Sequence, residues 1–283
     1  SDLLLFAPSL PLILYGFVAA QLGTDPAVTV ESLFLAGILP GLLMILLLAV
    51  YAVYKGRGLG RVRRPFSGRE FFASMWDARW ELPLPIALLA AIYGGFLAAS
   101  EAAAVTAAYV IVLTLWIRRE IRLARLRVVM AEAARMVGAI LVILGAALAL
   151  SNWLIDQEVP IRLFAAIREH VTSPLTFLLL LNGFLLIVGM LLDIFAAIVI
   201  LVPLLVPIAV GYGIHPVHLG ILMLANLQLG YFTPPVGMNL FIASYRFNTP
   251  ITALVRASLP FFMILLVAVL LITYVPWLSL VFL

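Results

Sequence analysis

Twenty-two residues, 33–54, carry no charge and run directly into a connection holding Lys55, Arg57, Arg61, Arg63, Arg64, Arg69 and Arg79. In hydrocarbon a segment must satisfy its own backbone N–H and C=O groups, and about 20 apolar residues suffice to cross a bilayer, so such a run has to be helical. The pattern recurs: residues 82–117, apolar apart from Glu101, deliver the chain to Arg118, Arg119, Arg122, Arg125, Arg127 and Arg135. Thirteen of the 17 Lys and Arg residues fall in these two connections, which places both on the cytoplasmic side. The net charge of +4 is thus explained by topology rather than by a nucleic-acid partner. With 65% hydrophobic residues the chain is no soluble domain, and without cysteine it has neither disulfides nor thiolate metal sites. The expected class is an all-α polytopic membrane protein.

Residues 1–22 are too short for a full span and contain Pro8 and Pro11, so they read as the second half of a broken helix. No basic stretch precedes them, so no cleavable signal peptide is visible, and the chain is expected to be a fragment of a longer one. Residues 23–32, with Asp25 and Glu31 and no basic residue, belong outside. Residues 69–81 alternate Phe71, Phe72, Trp76 and Trp80 with charges, as a helix lying along the headgroups would. Cytoplasmic flanks on both sides of 82–117 require an even number of crossings, hence two short helices joined near residues 94–100. Residues 136–155 then cross outward, and 159–170 form a second interfacial helix. Residues 174–210 could be one long helix or a re-entrant hairpin with its tip at 189–193; the hairpin is preferred because it returns the chain outside. Residues 217–245 run inward as a broken helix, reaching Arg246 and Arg256 at the cytoplasmic edge, and 258–283 cross once more. Three regions follow: 1–54, the remnant of a first repeat; 55–135, basic connections and short helices; and 136–283, a second repeat.

The broken helix carries the chemistry. Residues 226–245 read NLQLGYFTPPVGMNLFIASY, with Gly230, Thr233, Pro234, Pro235, Gly237 and Asn239 in mid-span. Consecutive prolines remove two backbone donors, so carbonyls around Gly230 lose their helical partners. Such carbonyls persist in a membrane only against protein or an aqueous cavity, where with the Thr233 hydroxyl and the Asn239 amide oxygen they suit a hard cation such as Na⁺. Gly189, Asp193, Gly230, Thr233 and Pro234 are the candidate sodium site. Thr233, Pro235, Gly237, Asn239 and Ser9 are the candidate substrate contacts. Asp193, an acid in an apolar run, reads either as a functional group or as the cap of the second hairpin helix. Glu101, after Ser100 and before an alanine run, is open in the same way. His215 and His218 are assigned to an outer connection and lack a third ligand, so no metal is expected there. No phosphate-binding glycine loop and no nucleophile setting occurs, so neither direct use of ATP nor enzymatic activity is expected.

Residues 6–15, FAPSLPLILY, can be laid over 232–241, FTPPVGMNLF. Each puts helix breakers before a short apolar helix, and the charge pattern makes the two run in opposite directions. That arrangement marks an inverted-repeat transporter with its sites between the repeats.

The stretches Gly189-Met190-Leu191-Leu192-Asp193, Pro203-Leu204-Leu205-Val206-Pro207, Pro216-Val217-His218-Leu219-Gly220 and above all Leu229–Phe241, with Glu101-Ala102-Ala103-Ala104-Val105 after Tyr93-Gly94-Gly95, resemble the large membrane subunit of TRAP transporters. The resemblance covers essentially the whole chain. It implies an elevator-type, sodium-driven importer of organic acid anions (C4-dicarboxylates or sialic acid) in the bacterial inner membrane. A periplasmic binding protein would deliver the substrate and a small membrane subunit would brace the large one. The chain departs from the family at Ala98-Ala99-Ser100, where Thr-Pro-Thr is usual, and at Ala7-Pro8, where a double proline is usual. The family's first re-entrant hairpin would precede Ser1, so the first repeat is incomplete and the chain as given is expected not to transport. A non-transporting scaffold subunit and a single-component sodium–anion symporter are the alternatives.

Overall fold

The computed structural model describes residues 9–57, 67–94, 96–234 and 237–283, and every regular element among them is helical. Two compact units form, Ser1–Gly58 with Leu141–Leu283, and Leu59–Ile140.

In the larger unit, α1 (Leu10–Ala20) and α2 (Val30–Arg57) come first. Lys55 and Arg57 lie in the last turn of α2, where cations favour the helix dipole. In the smaller unit, α3 (Gly68–Asp77) starts at Ser67, whose Oγ accepts from Glu70 N at 3.3 Å. Phe71, Phe72, Met75 and Trp76 of α3 are all exposed. The Arg79 guanidinium lies over the Trp76 and Trp80 rings, 4.9 and 5.7 Å from their centroids. Next come α4 (Pro83–Tyr93) and α5 (Ala99–Val112), which runs on into a π-helical turn, Leu113–Ile117. Tyr109 donates to Trp80 O at 2.7 Å, and Arg118 pairs with Glu81 at 2.7 Å. α5 begins one residue before Ser100, and it is Glu101 that caps, its Oε2 accepting from Ala98 N at 2.9 Å. Helix α6 (Leu123–Asp156) has residues in both units.

The remaining elements are α7 (Val159–His170), α8 (Pro174–Leu191), α9 (Ile194–Gly211), α10 (Pro216–Gly230), α11 (Met238–Phe247), α12 (Ile251–Tyr274) and α13 (Trp277–Leu280). Among the described residues, α2, α8, α9 and α12 are long and apolar enough to cross a membrane. Residues 174–210 are two helices joined by Leu192 and Asp193, each about 27 Å long at 1.5 Å per residue. The final segment differs from the expected span of 258–283. α12 starts seven residues earlier, after Pro250 in extended conformation, and stops at Tyr274 because Val275 leaves the helical region (φ −120°, ψ 76°) and Pro276 opens the separate short α13.

α10 is the axis of the larger unit: all 15 of its residues are buried, against α1, α2, α8, α9, α12 and α13. Tyr15 of α1 is fully buried against it and donates to Pro216 O at 2.6 Å. His218 corrects the sequence-based placement. It lies inside α10 rather than in a connection, is 2% exposed, and meets Ser279 Oγ at 2.5 Å through Nδ1 and Thr273 O at 3.3 Å through Nε2. A buried imidazole needs such partners, so it joins α10 to α12 and α13.

His215, just before α10, caps it by accepting from Val217 N at 3.2 Å through Nδ1. Partial burial holds its pKa below the ordinary value. The neutral imidazole is the accepting form, so this cap contributes above about pH 6.5 and is lost as pH falls through the lower folded value. His215→Asn, which keeps a polar cap that does not titrate, should lose less thermal stability than the unsubstituted protein between pH 7 and 5. Identical pH slopes would rule out the cap as a titrating element.

Candidate functional site

The tip of the α8–α9 hairpin meets the interruption between α10 and α11. The α-helical donors to the carbonyls of Gly230 and Tyr231 would be residues 234 and 235, both proline and without an N–H. Gly230 O instead accepts from Thr233 N at 2.9 Å, and Leu229 O from Phe232 N at 3.1 Å, closing α10 with a tight turn. Tyr231 O can receive neither an i+3 nor an i+4 helical bond, because residues 234 and 235 are both proline. Thr233 Oγ1 donates to Leu229 O at 3.1 Å, which leaves the lone pairs of that oxygen for other work. Beyond the interruption, Gly237 has φ +23°, and a Cβ on it would lie 2.8 Å from Thr233 O. Asn239 is half-buried in the first turn of α11.

Gly189 and Gly230 touch backbone to backbone. A Cβ on Gly230 would lie 2.6 Å from the carbonyl carbon of Gly189, and one on Gly189 would lie 3.0 Å from Leu227 Cα. Asp193 caps α9, its Oδ2 accepting from Phe195 N at 3.0 Å. Its Oδ1 accepts from Tyr231 Oη at 3.2 Å, and that hydroxyl oxygen accepts from Ile194 N at 2.6 Å. Gly189, Asp193, Gly230 and Thr233 therefore come together on two facing elements, with Pro234 exposed beside them. Pro235, like the Phe6-Ala7-Pro8 half of the repeat alignment, lies outside the described residues. Ser9 is buried and caps α1, accepting from Leu12 N at 3.4 Å. Tyr231 escaped the sequence reading because nothing local marks a tyrosine that reaches 38 residues back.

Behind the hairpin lies a buried polar cluster. Asn226 Nδ2 donates to Asn182 Oδ1 at 2.7 Å and to Leu222 O at 2.9 Å, and Thr273 Oγ1 lies 3.1 Å from the same Asn182 oxygen. These bonds tie α8, α10 and α12 together inside an otherwise apolar core. A groove of about 490 Å³ between α7, α8 and α9, walled by residues such as Leu163, Phe177, Phe184 and Leu205, is apolar and contains none of the candidate residues.

The family model described as "Tripartite ATP-independent periplasmic transporter, DctM component" matches residues 4–278. The chain is 38% identical over 279 residues to the C4-dicarboxylate TRAP transporter large permease protein DctM of Pseudomonas aeruginosa, covering 98% of this chain and 64% of that protein. It is 37% identical over 271 residues to the isethionate TRAP transporter permease protein DctMQ of Oleidesulfovibrio alaskensis, covering 95% of this chain and 42% of that protein. With the sialic acid TRAP transporter large permease protein SiaM of Vibrio cholerae the identity is 32%, over 96% of this chain and 62% of that protein. The chain thus spans less than two thirds of the length of each. An all-helical chain with several bilayer-length apolar helices, matched along almost its whole length, belongs to the large permease (DctM) family of tripartite ATP-independent periplasmic transporters.

Proposed function

We propose that this chain is the membrane-permease portion of a sodium-coupled importer of organic acid anions, of the C4-dicarboxylate or sialic-acid type, in a bacterial inner membrane. A soluble periplasmic protein delivers the substrate and a small membrane subunit braces the permease. The observation that carries the reading is the hairpin tip held, backbone against backbone, on a helix interrupted where two prolines withhold donors from its carbonyls. The donor set on offer, uncharged carbonyl oxygens with the Thr233 hydroxyl, fits a hard monovalent cation. Gly189, Asp193, Gly230, Thr233 and Pro234 would hold the ion. Asp193 does so from the second rank, since both its oxygens are engaged in fixing the start of α9. Thr233, Pro235, Gly237, Asn239 and Ser9 would face the substrate. In the inverted-repeat, elevator arrangement, residues 1–54 supply part of a first repeat and 136–283 the second.

The test is uptake of a radiolabelled dicarboxylate or sialic acid into liposomes containing the complete transporter, across an imposed sodium gradient. Removing one oxygen ligand with Thr233→Ala should raise the sodium concentration for half-maximal uptake on the order of tenfold. An unchanged sodium dependence would remove Thr233 from the ion site. Uptake without any sodium gradient would end the coupling proposal itself.

A further inference from the structure

We propose that Tyr231 is the positioning residue of the candidate site: its single hydroxyl, bonded to both Asp193 and Ile194, holds the hairpin tip in register with the interrupted helix. The oxygen accepts from Ile194 N at 2.6 Å while the proton goes to Asp193 Oδ1 at 3.2 Å. Asp193 Oδ2 takes the next amide, Phe195 N, at 3.0 Å. The first amides of a helix have no acceptor within it, so the start of α9 is satisfied by one group of its own and one group from across the interface. Packing at the tip is one-sided: Ile194 is buried, but Leu191 is 56% and Leu192 40% exposed. The Gly189–Gly230 contact fixes how near the hairpin comes but, between residues without side chains, does little to resist sliding or rotation. Deeper along the same two helices the Asn226–Asn182 bond at 2.7 Å ties α10 to α8; at the tip itself the Tyr231 hydroxyl, next in sequence to Gly230, adds the attachment that sets the angle. A binding site fixed at its tip in this way keeps its oxygens placed before the ligand arrives.

The consequence for sodium rests on the transport reading above, and the two are separable by experiment. These 283 residues contain no cysteine, so in a complete transporter whose other cysteines, if any, are replaced by serine, Leu192→Cys offers one spin-label position, with Leu191→Cys as a second. In Tyr231→Phe the sodium-free spectrum should show a severalfold larger mobile fraction at the tip. Sodium should restore the immobile spectrum only at about tenfold higher concentration, as the loss of two hydrogen bonds implies. Tyr212→Phe removes a comparable bond, to Val171 O at 2.6 Å, and should change neither reading; it controls for a general loss of stability. Equal tip mobility in Tyr231→Phe and the unsubstituted protein, at both label positions, would overturn the proposal. A raised mobility with no response to sodium in either protein would sustain the positioning role and count against the sodium site. A sodium response with the same half-point in both would show that the tip is not what Tyr231 positions for the ion.

Discussion

Gly230→Ala is expected to push the hairpin off the interrupted helix and to abolish transport. Its new Cβ would lie 2.6, 2.7 and 3.0 Å from the carbonyl carbon, Cα and oxygen of Gly189. Carbon–carbon contacts are comfortable at about 3.5–4.0 Å, so α8 and α10 would have to part by roughly 1 Å. All three obstructing atoms are backbone, and no side-chain rotation relieves them. Within a bilayer, lipid is as apolar as the helix faces, so association depends on close packing through small residues rather than on hydrophobic burial. Opening that contact removes dispersion contacts along the whole interface, at a cost of about 1–3 kcal/mol or more. Gly189→Ala should be milder, since its Cβ would meet Leu227 Cα and O at 3.0 Å. The double substitution should cost less than the sum, because both push the same two helices apart. A thermal melt of the purified transporter, with uptake measured in parallel, checks this; an unchanged melting temperature for Gly230→Ala would refute the contact.

The second large effect is expected at Gly220, one turn into α10. A Cβ there would lie 2.5, 2.8 and 2.9 Å from the ring of Tyr15, which is completely buried and tethered to Pro216 O. The ring cannot swing away without leaving that bond and opening the packing of α1 on α9 and α10. Gly220→Ala should therefore destabilise by about 2–3 kcal/mol. Tyr15→Phe, which keeps the ring and loses only the hydroxyl bond, should cost about 1 kcal/mol. Combining Gly220→Ala with Tyr15→Leu should be less damaging than the two costs added, because the shorter side chain makes room for the methyl group. Strict additivity in thermal or denaturant unfolding would show that the two residues do not meet.

Both predictions depend on pairings that were not legible in the sequence, although much around them was. The break at Pro234 and Pro235 and the helix end near Asp193 could be read because they follow from local chemistry: proline has no N–H, and a short acid before an apolar run is a natural cap. For Glu101 the sequence left a cap and a functional role open; the structure shows it capping from the third helical position, back to Ala98 N. His218 was grouped with His215 in the outer connection although the helix was read from residue 217; Pro216 opens α10 at its first position, as proline favours, which puts His218 inside the helix. Residues 251–257 were left out of the last helix because Arg256 was read as a boundary, yet an arginine near a helix end can sit within the helix and extend its charge to the interface.

The sequence by itself determined that the chain is helical and membrane-embedded and where its helices break, since lipid permits no unsatisfied backbone and proline and charge act on their own neighbourhood. Only the tertiary structure decided which helices meet. α10 is buried around its whole circumference, so no apolar stripe tells which face looks toward α1, α8 or α12. The bonds that settle it, Tyr231 to Asp193, His218 to Ser279 and Tyr15 to Pro216, join residues 38, 61 and 201 apart, and each depends on a polar atom finding a partner that is near in space and remote in the chain.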